Sequence, residues 1–117
     1  MERSKIVTIK GESYKLNIPT MRTSIIIQSQ VANVTRGTHS LMSISSNAAS
    51  QQAALDAVNL SRLDALVTKQ KSINNVLQDD FSFSFFDLDE VEGPSIIDAV
   101  SKELDSFIEQ FRKQPSA

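Results

Sequence analysis

The 117-residue chain has no cysteine and no tryptophan, one histidine, one tyrosine, and only three glycines and three prolines. Without cysteine there is no disulfide framework, no thiolate metal site and no cysteine nucleophile. Glycine and proline are too sparse for the many turns of a β sandwich or for a glycine-rich phosphate loop, so helix is the expected main element. No apolar run exceeds three residues, as at Ile25-Ile26-Ile27, against the roughly 20 needed to cross a bilayer, and the N-terminus has no apolar signal core. The expectation is a soluble, cytosolic protein with no membrane partner.

The length suits one domain, residues 1–117, with one modest core. Twelve basic and fourteen acidic side chains give a net charge of −2, which is not the balance of a protein that coats phosphate. The charge is unevenly spread: residues 1–40 carry +4, residues 41–77 +1 and residues 78–117 −7. Such a dipole favours head-to-tail association of copies, with Arg22 and Arg36 at the basic end and Asp87, Asp89 and Glu90 at the acidic end.

Residues 1–19 read as a β-hairpin, with Lys5 to Lys10 and Ser13 to Ile18 as strands around Gly11-Glu12. Tyr14, Leu16 and Ile18 fall on one face with period two and need a covering layer. Residues 20–77 read as helices. Pro19 stops the strand, Thr20 caps a helix from Met21 to Arg36, and Gly37 ends it, although Ser24 to Val31 also suits a strand. A loop spans Ser43 to Asn47, and Ser46 or Asn47 caps a second, alanine-rich helix. Its stripe of Leu55, Leu63, Leu66, Ile73 and Leu77 persists to Leu77, in one helix or two. Residues 78–93 form a Phe-rich acidic connector or strand, with Phe81, Phe83 and Phe85 on one side and Ser82 and Ser84 on the other. Residues 94–113 are an amphipathic helix in which Ser95 and Asp98 form a capping pair. Ile96, Ile97, Val100, Leu104, Phe107, Ile108 and Phe111 line its apolar arc, and residues 114–117 fray. The expected fold class is mainly α with a short N-terminal β-hairpin (α+β), a small helical domain.

Chemistry is hard to find in this chain. His39 stands next to a predicted helix end beside Thr38 and Ser40, without the companions a metal ligand or catalytic base needs, and reads as an exposed loop residue. No serine sits in a nucleophile elbow. Asp87, Asp89, Glu90 and Glu92, with Asp98 twelfth from Asp87, resemble a calcium loop. Val91 and Glu92, however, occupy the fifth and sixth positions, where an oxygen ligand and glycine are required. No catalytic, cofactor-binding or metal-binding residue is expected, and the protein is not expected to be an enzyme. The feature left for binding is the cluster Phe81, Phe83, Phe85 and Phe86, flanked by Asp79, Asp80, Asp87 and Asp89. It either completes the core or stays accessible to a partner.

The order of these features resembles a known family. The hairpin, the junction Ile18-Pro19-Thr20-Met21-Arg22, the helix Ala53-Ala54-Leu55-Asp56-Ala57-Val58-Asn59-Leu60, the stretch Phe86-Asp87-Leu88-Asp89-Glu90 and the ending Phe107-Ile108-Glu109-Gln110-Phe111-Arg112 are similar to the tail assembly chaperones of tailed bacteriophages. That resemblance implies a protein that coats the apolar, helical tape measure protein before tube subunits polymerise around it. It also implies self-association into a homo-oligomer, host-cytoplasmic location and absence from the mature virion. A longer form made by ribosomal frameshifting, with this chain as the shorter one, would be a further partner. The family brings no catalytic residues. The alternative is a small structural virion protein, a tail completion or connector subunit. Nucleic-acid binding through Lys5, Lys10, Lys15, Arg22 and Arg36 lacks the aromatic interleaving of specific readers, so no nucleic-acid partner is expected.

Overall fold

A computed structural model describes residues 3–37, 41, 44 and 47–113. The expectations for His39, for Ser43, Ser45 and Ser46, and for residues 114–117 fall outside the described residues. The elements run β1 (Ser4–Ile9), β2 (Glu12–Asn17), α1 (Met21–Thr35), α2 (Ala48–Leu66), β3 (Val67–Ile73), β4 (Val76–Asp79), a 3-10 turn (Phe85–Asp87) and α3 (Gly93–Arg112). They fall into two compact units: residues up to Pro19 with those from Leu66 onward, and Thr20–Ala65.

The expectation of a mainly helical domain with only an N-terminal hairpin is overturned. The fold is α+β, with three helices among the described residues and a four-stranded antiparallel sheet in the order β1-β2-β3-β4. The additional strands come from residues 67–79, where the stripe through Ile73 and Leu77 predicts a continuing helix. Val67 and Thr68 are β-branched and favour extended backbone. Asn74 and Asn75 sit at φ 52° and 66°, a conformation asparagine tolerates better than most residues, and together they form a two-residue hairpin turn. Ile73 pairs with Val76, Ser72 with Leu77 and Lys71 with Gln78 across that turn. The change from helix to strand at Leu66–Val67 is abrupt. The Leu66 carbonyl, left without a helical partner, accepts a hydrogen bond from the Asn17 side-chain amide at 3.1 Å. The Phe-rich segment is not a strand of the sheet; β3 takes the place beside β2, with Tyr14 opposite Lys69 and Leu16 opposite Val67.

The first hairpin forms as its alternation predicts, turning at Lys10 and Gly11, both at positive φ. Tyr14, Leu16 and Ile18 are buried. Residues paired across strands share a face, so Val7, Tyr14, Leu16, Val67 and Lys69 lie on one side of the sheet. Against β1 and β2 packs α3, which buries Val100, Leu104, Phe107 and Ile108, while Ile96, Ile97 and Phe111 are half-buried. Lys10 donates to the Ser95 hydroxyl at one end, and Arg3 lies 5.5 Å from the centre of the Phe111 ring at the other. The helix therefore runs antiparallel to β1. On the opposite face, buried Gln70 donates to the Asp79 carboxylate at 2.8 Å and to the Thr68 carbonyl at 3.2 Å. These bonds satisfy an amide that burial would otherwise penalise.

In the helical unit, Thr20 caps α1 through a reciprocal pair with Thr23: each side chain accepts from the other's backbone N–H. Arg36 adopts the left-handed conformation that ends α1, and the Gly37 N–H reaches the Ala32 carbonyl at 2.9 Å. Asn47 caps α2, accepting from the backbone N–H groups of Ala49 and Ser50. Burial on α2 falls largely on small side chains, Ala54, Ala57 and Ser61, with Leu63.

Candidate functional site

The Phe-rich segment is folded by its own serines and aspartates. The Asp80 carboxylate accepts from the Ser82 N–H, and the Ser84 hydroxyl accepts from the Phe86 N–H to start the 3-10 turn. The chain therefore reverses direction within a few residues, and the four rings separate. Phe85 is 1% exposed and Phe81 87%, while Phe83 and Phe86 are half-buried. Phe85 stacks on Tyr14 at a centroid distance of 5.9 Å, and Phe83 meets Phe85 edge-on at 5.0 Å and Tyr14 at 6.3 Å. Lys69 lies 4.9 Å from the centre of the Phe83 ring and 3.8 Å from the Glu12 carboxylate. Of the four phenylalanines, only Phe81 presents an open ring to solvent.

The acidic stretch that follows is a turn held by Asp89. Its carboxylate accepts from the backbone N–H groups of Glu92 at 2.7 Å and Val91 at 2.8 Å, and its carbonyl accepts from the Gly93 N–H. The Glu92 and Val91 N–H groups hold the Asp89 carboxyl below its ordinary range. Asp80 is also held low, first by the Ser82 hydroxyl, with Lys71 and Lys69 contributing. The capping expected of Ser95 is not made: Glu92 takes the N-cap position of α3 without a side-chain cap bond, and Asp89 closes the turn before it. Ser95 instead sits inside the first turn of α3, its hydroxyl donating to the Glu92 carbonyl, and Asp98 pairs with Lys102 at 3.0 Å. Among the described residues no group of three histidines or carboxylates is placed to hold a metal ion, and no helix is long and apolar enough to cross a membrane.

The five charges expected to join copies are all exposed: Arg22 and Arg36 in the helical unit, and Asp87, Asp89 and Glu90 in the sheet unit. The lysines considered for nucleic acid do not form one stripe. Lys5 lies on the sheet face of Leu16, Lys15 on the opposite face, and Lys10 in the turn.

Two further apolar surfaces carry no recognisable sequence motif. The first is on α1, where Met21 is 86% and Ile25 63% exposed, with Ile26 and Val34 also exposed; on α2, Leu55 is exposed too. Met21, Ile25 and Ala32 lie within about 40° of one another around the helix axis. From Met21 to Leu55 the only Lys, Arg, Asp or Glu residues are Arg22 and Arg36, both exposed. The one sequence signal of this surface is Ile25-Ile26-Ile27, whose spread around α1 exceeds what one buried face can absorb. The second surface is the β3–β4 arm, whose residues from Lys71 to Gln78 are all exposed, Ile73, Val76 and Leu77 among them. No family model, curated protein or solved structure matches the chain.

Proposed function

We propose that this protein is a non-enzymatic, client-holding chaperone of the phage tail assembly type, whose helical unit covers an apolar helical segment of a tape measure protein until assembly. The observation that supports this most directly is the exposed apolar stripe of Met21 and Ile25 on α1, with Ile26, Val34 and Leu55 exposed elsewhere in the helical unit. Met21 and Ile25 lie one turn apart on the same face, and an open apolar stripe of that kind is suited to binding. An apolar helix presents side chains at i, i+3 and i+4 to such a stripe. Copies arrayed along a long client would hold it by multivalency, each contact remaining weak. The setting is the host cytoplasm during assembly, and the protein leaves before the virion is complete.

Co-expression with the tape measure protein tests this reading. Met21→Glu with Ile25→Glu is expected to keep the circular dichroism spectrum and to lose client solubilisation. Undiminished rescue by this folded variant overturns the helical surface as the client site. Mass spectrometry of purified particles separates the chaperone from a structural virion protein, since only the latter stays in the particle.

A further inference from the structure

The β3–β4 arm extends past the sheet that positions it. Pairing between β2 and β3 ends at Tyr14–Lys69, while β3 and β4 continue together to the turn at Asn74-Asn75. At about 3.3 Å per residue, the arm reaches roughly 16 Å beyond Lys69. Ile73 and Val76 form its last cross-strand pair, on the same face as Lys71, and Leu77 lies on the other face; all four are exposed. A two-stranded arm with apolar side chains open on both faces is marginal in water by itself and gains from a second surface.

The charge pattern indicates what that surface is. Residues 67–78 hold Lys69 and Lys71 and no acid, whereas residues 79–98 hold seven acids and no base. Within the acidic stretch the apolar side chains of Phe81 and Val91 are open, at 87% and 89% exposed, and Asp87, Glu90 and Glu92 are exposed as well. The acidic stretch leaves the sheet at the base of the arm, where the Asp80 N–H bonds the Lys69 carbonyl at 2.8 Å. Among the described residues Lys71 makes no ion pair within 4 Å, and the tip of the arm is exposed.

We propose that the β3–β4 arm of one copy docks on the Phe81–Glu92 segment of a second copy. Ile73 and Val76 lie against Phe81 and Val91, and Lys71, on the same face of the arm, lies among Asp87, Glu90 and Glu92. The contact is heterologous: each copy offers one arm and one acceptor, so association continues head to tail instead of closing as a two-fold dimer. This deepens the self-association in the functional reading by naming its surfaces. Both lie in the sheet unit, so its failure is distinguishable from failure of client binding by the helical unit.

Sedimentation velocity on the full chain tests the proposal by charge exchange. The wild type is expected to form concentration-dependent oligomers at low salt that dissociate near 0.5 M, where screening falls to a few ångströms, about 4 Å. Lys71→Glu alone and Glu90→Lys with Glu92→Lys alone should each weaken association by at least about tenfold. The two variants mixed should associate again, because each arm then meets an acceptor of opposite sign. Val76→Glu should stay monomeric even in the mixture. Circular dichroism confirms that every variant is folded. A wild type that stays monomeric at high concentration in low salt overturns the proposal. So does a Glu90→Lys, Glu92→Lys variant that still associates, which would indicate arm-to-arm pairing, and so does a mixture that stays monomeric.

Discussion

Replacing Phe85 and Phe81 separately by alanine sets the folding role of the Phe-rich segment against its exposure. Phe85 is closed off from solvent, stacked on Tyr14 and met edge-on by Phe83, so truncation removes a buried ring and leaves a cavity between two aromatic neighbours. Buried phenylalanine truncations cost about 3–5 kcal/mol. Against a total stability of about 5–15 kcal/mol for a domain, that is a large fraction. With a urea dependence of about 2 kcal/mol per molar, the unfolding midpoint should fall by roughly 2 M. Phe81→Ala removes a ring already in water and should change stability by no more than about 0.5 kcal/mol. Urea titration followed by circular dichroism reads both variants, and the fluorescence of Tyr14, the chain's one tyrosine, reports on the sheet unit. Equal midpoints for the two variants, or a larger loss for Phe81→Ala, would refute the placement of these rings.

Phe107, buried on α3, should lose about 3–5 kcal/mol on replacement by alanine, and half-buried Phe111 less; thermal melts of the two variants check the order. Burial first, and the Glu12 carboxylate second, push the Tyr14 phenol above its ordinary pKa of 10.0. A raised folded-state pKa means that this contribution to stability is full below the unfolded value and is lost as pH rises through the folded one. Ultraviolet difference titration should therefore show a midpoint above 10.0, and a midpoint at or below it would count against the packing around the ring. Asp89 and Asp80 have the opposite sign: their lowered carboxyl pKa values contribute stability above the unfolded carboxylate range that is lost as pH falls through the folded values. Asp89→Ala should lower the melting temperature and flatten its acid dependence, whereas Asp89→Asn, which still offers an acceptor to the Val91 and Glu92 N–H groups, should flatten it at a smaller loss.

Elements defined by local chemistry are legible in the chain alone, and elements that depend on competition between two periodicities are not. Thr20, Asn47 and the Arg36-Gly37 end bound their helices because a cap acts within three or four residues of itself. The arc of α3 and the alternation Tyr14, Leu16, Ile18 are each long enough to exclude the other period. Residues 63–77 satisfy both. Leu63 and Leu66 belong to α2, while Ile73 and Leu77 repeat its spacing only by coincidence, as members of paired strands. The deciding signal is Asn74-Asn75, two residues at ease with positive φ between β-branched flanks, which outweighs a helical stripe because no helix interior accommodates that backbone.

The candidate surfaces show the same division. The phenylalanine cluster is the densest aromatic feature of the sequence, yet local turns send Phe85 inward and Phe81 outward, because Asp80 and Ser84 spend their side chains on neighbouring N–H groups and break the two-residue period. Density of apolar residues is therefore a poor guide to exposed binding surface in this chain, and surplus is a better one. A helix can bury only one stripe, and α1 carries isoleucines on several; a paired arm longer than the strand beside it must leave its end uncovered. Both surpluses follow from the residue order once strands and helices are correctly assigned. Assigning residues 67–77 to a helix hides the arm, because Ile73 and Leu77 then become part of a helix core. In the proposed head-to-tail contact the acidic segment takes Lys71 of the arm, beside exposed apolar side chains, as its positive partner, where the charge gradient alone points to Arg22 and Arg36. Arg22→Glu with Arg36→Glu should accordingly leave the sedimentation of the wild type nearly unchanged, and dissociation by that pair of substitutions would return the contact to the helical unit.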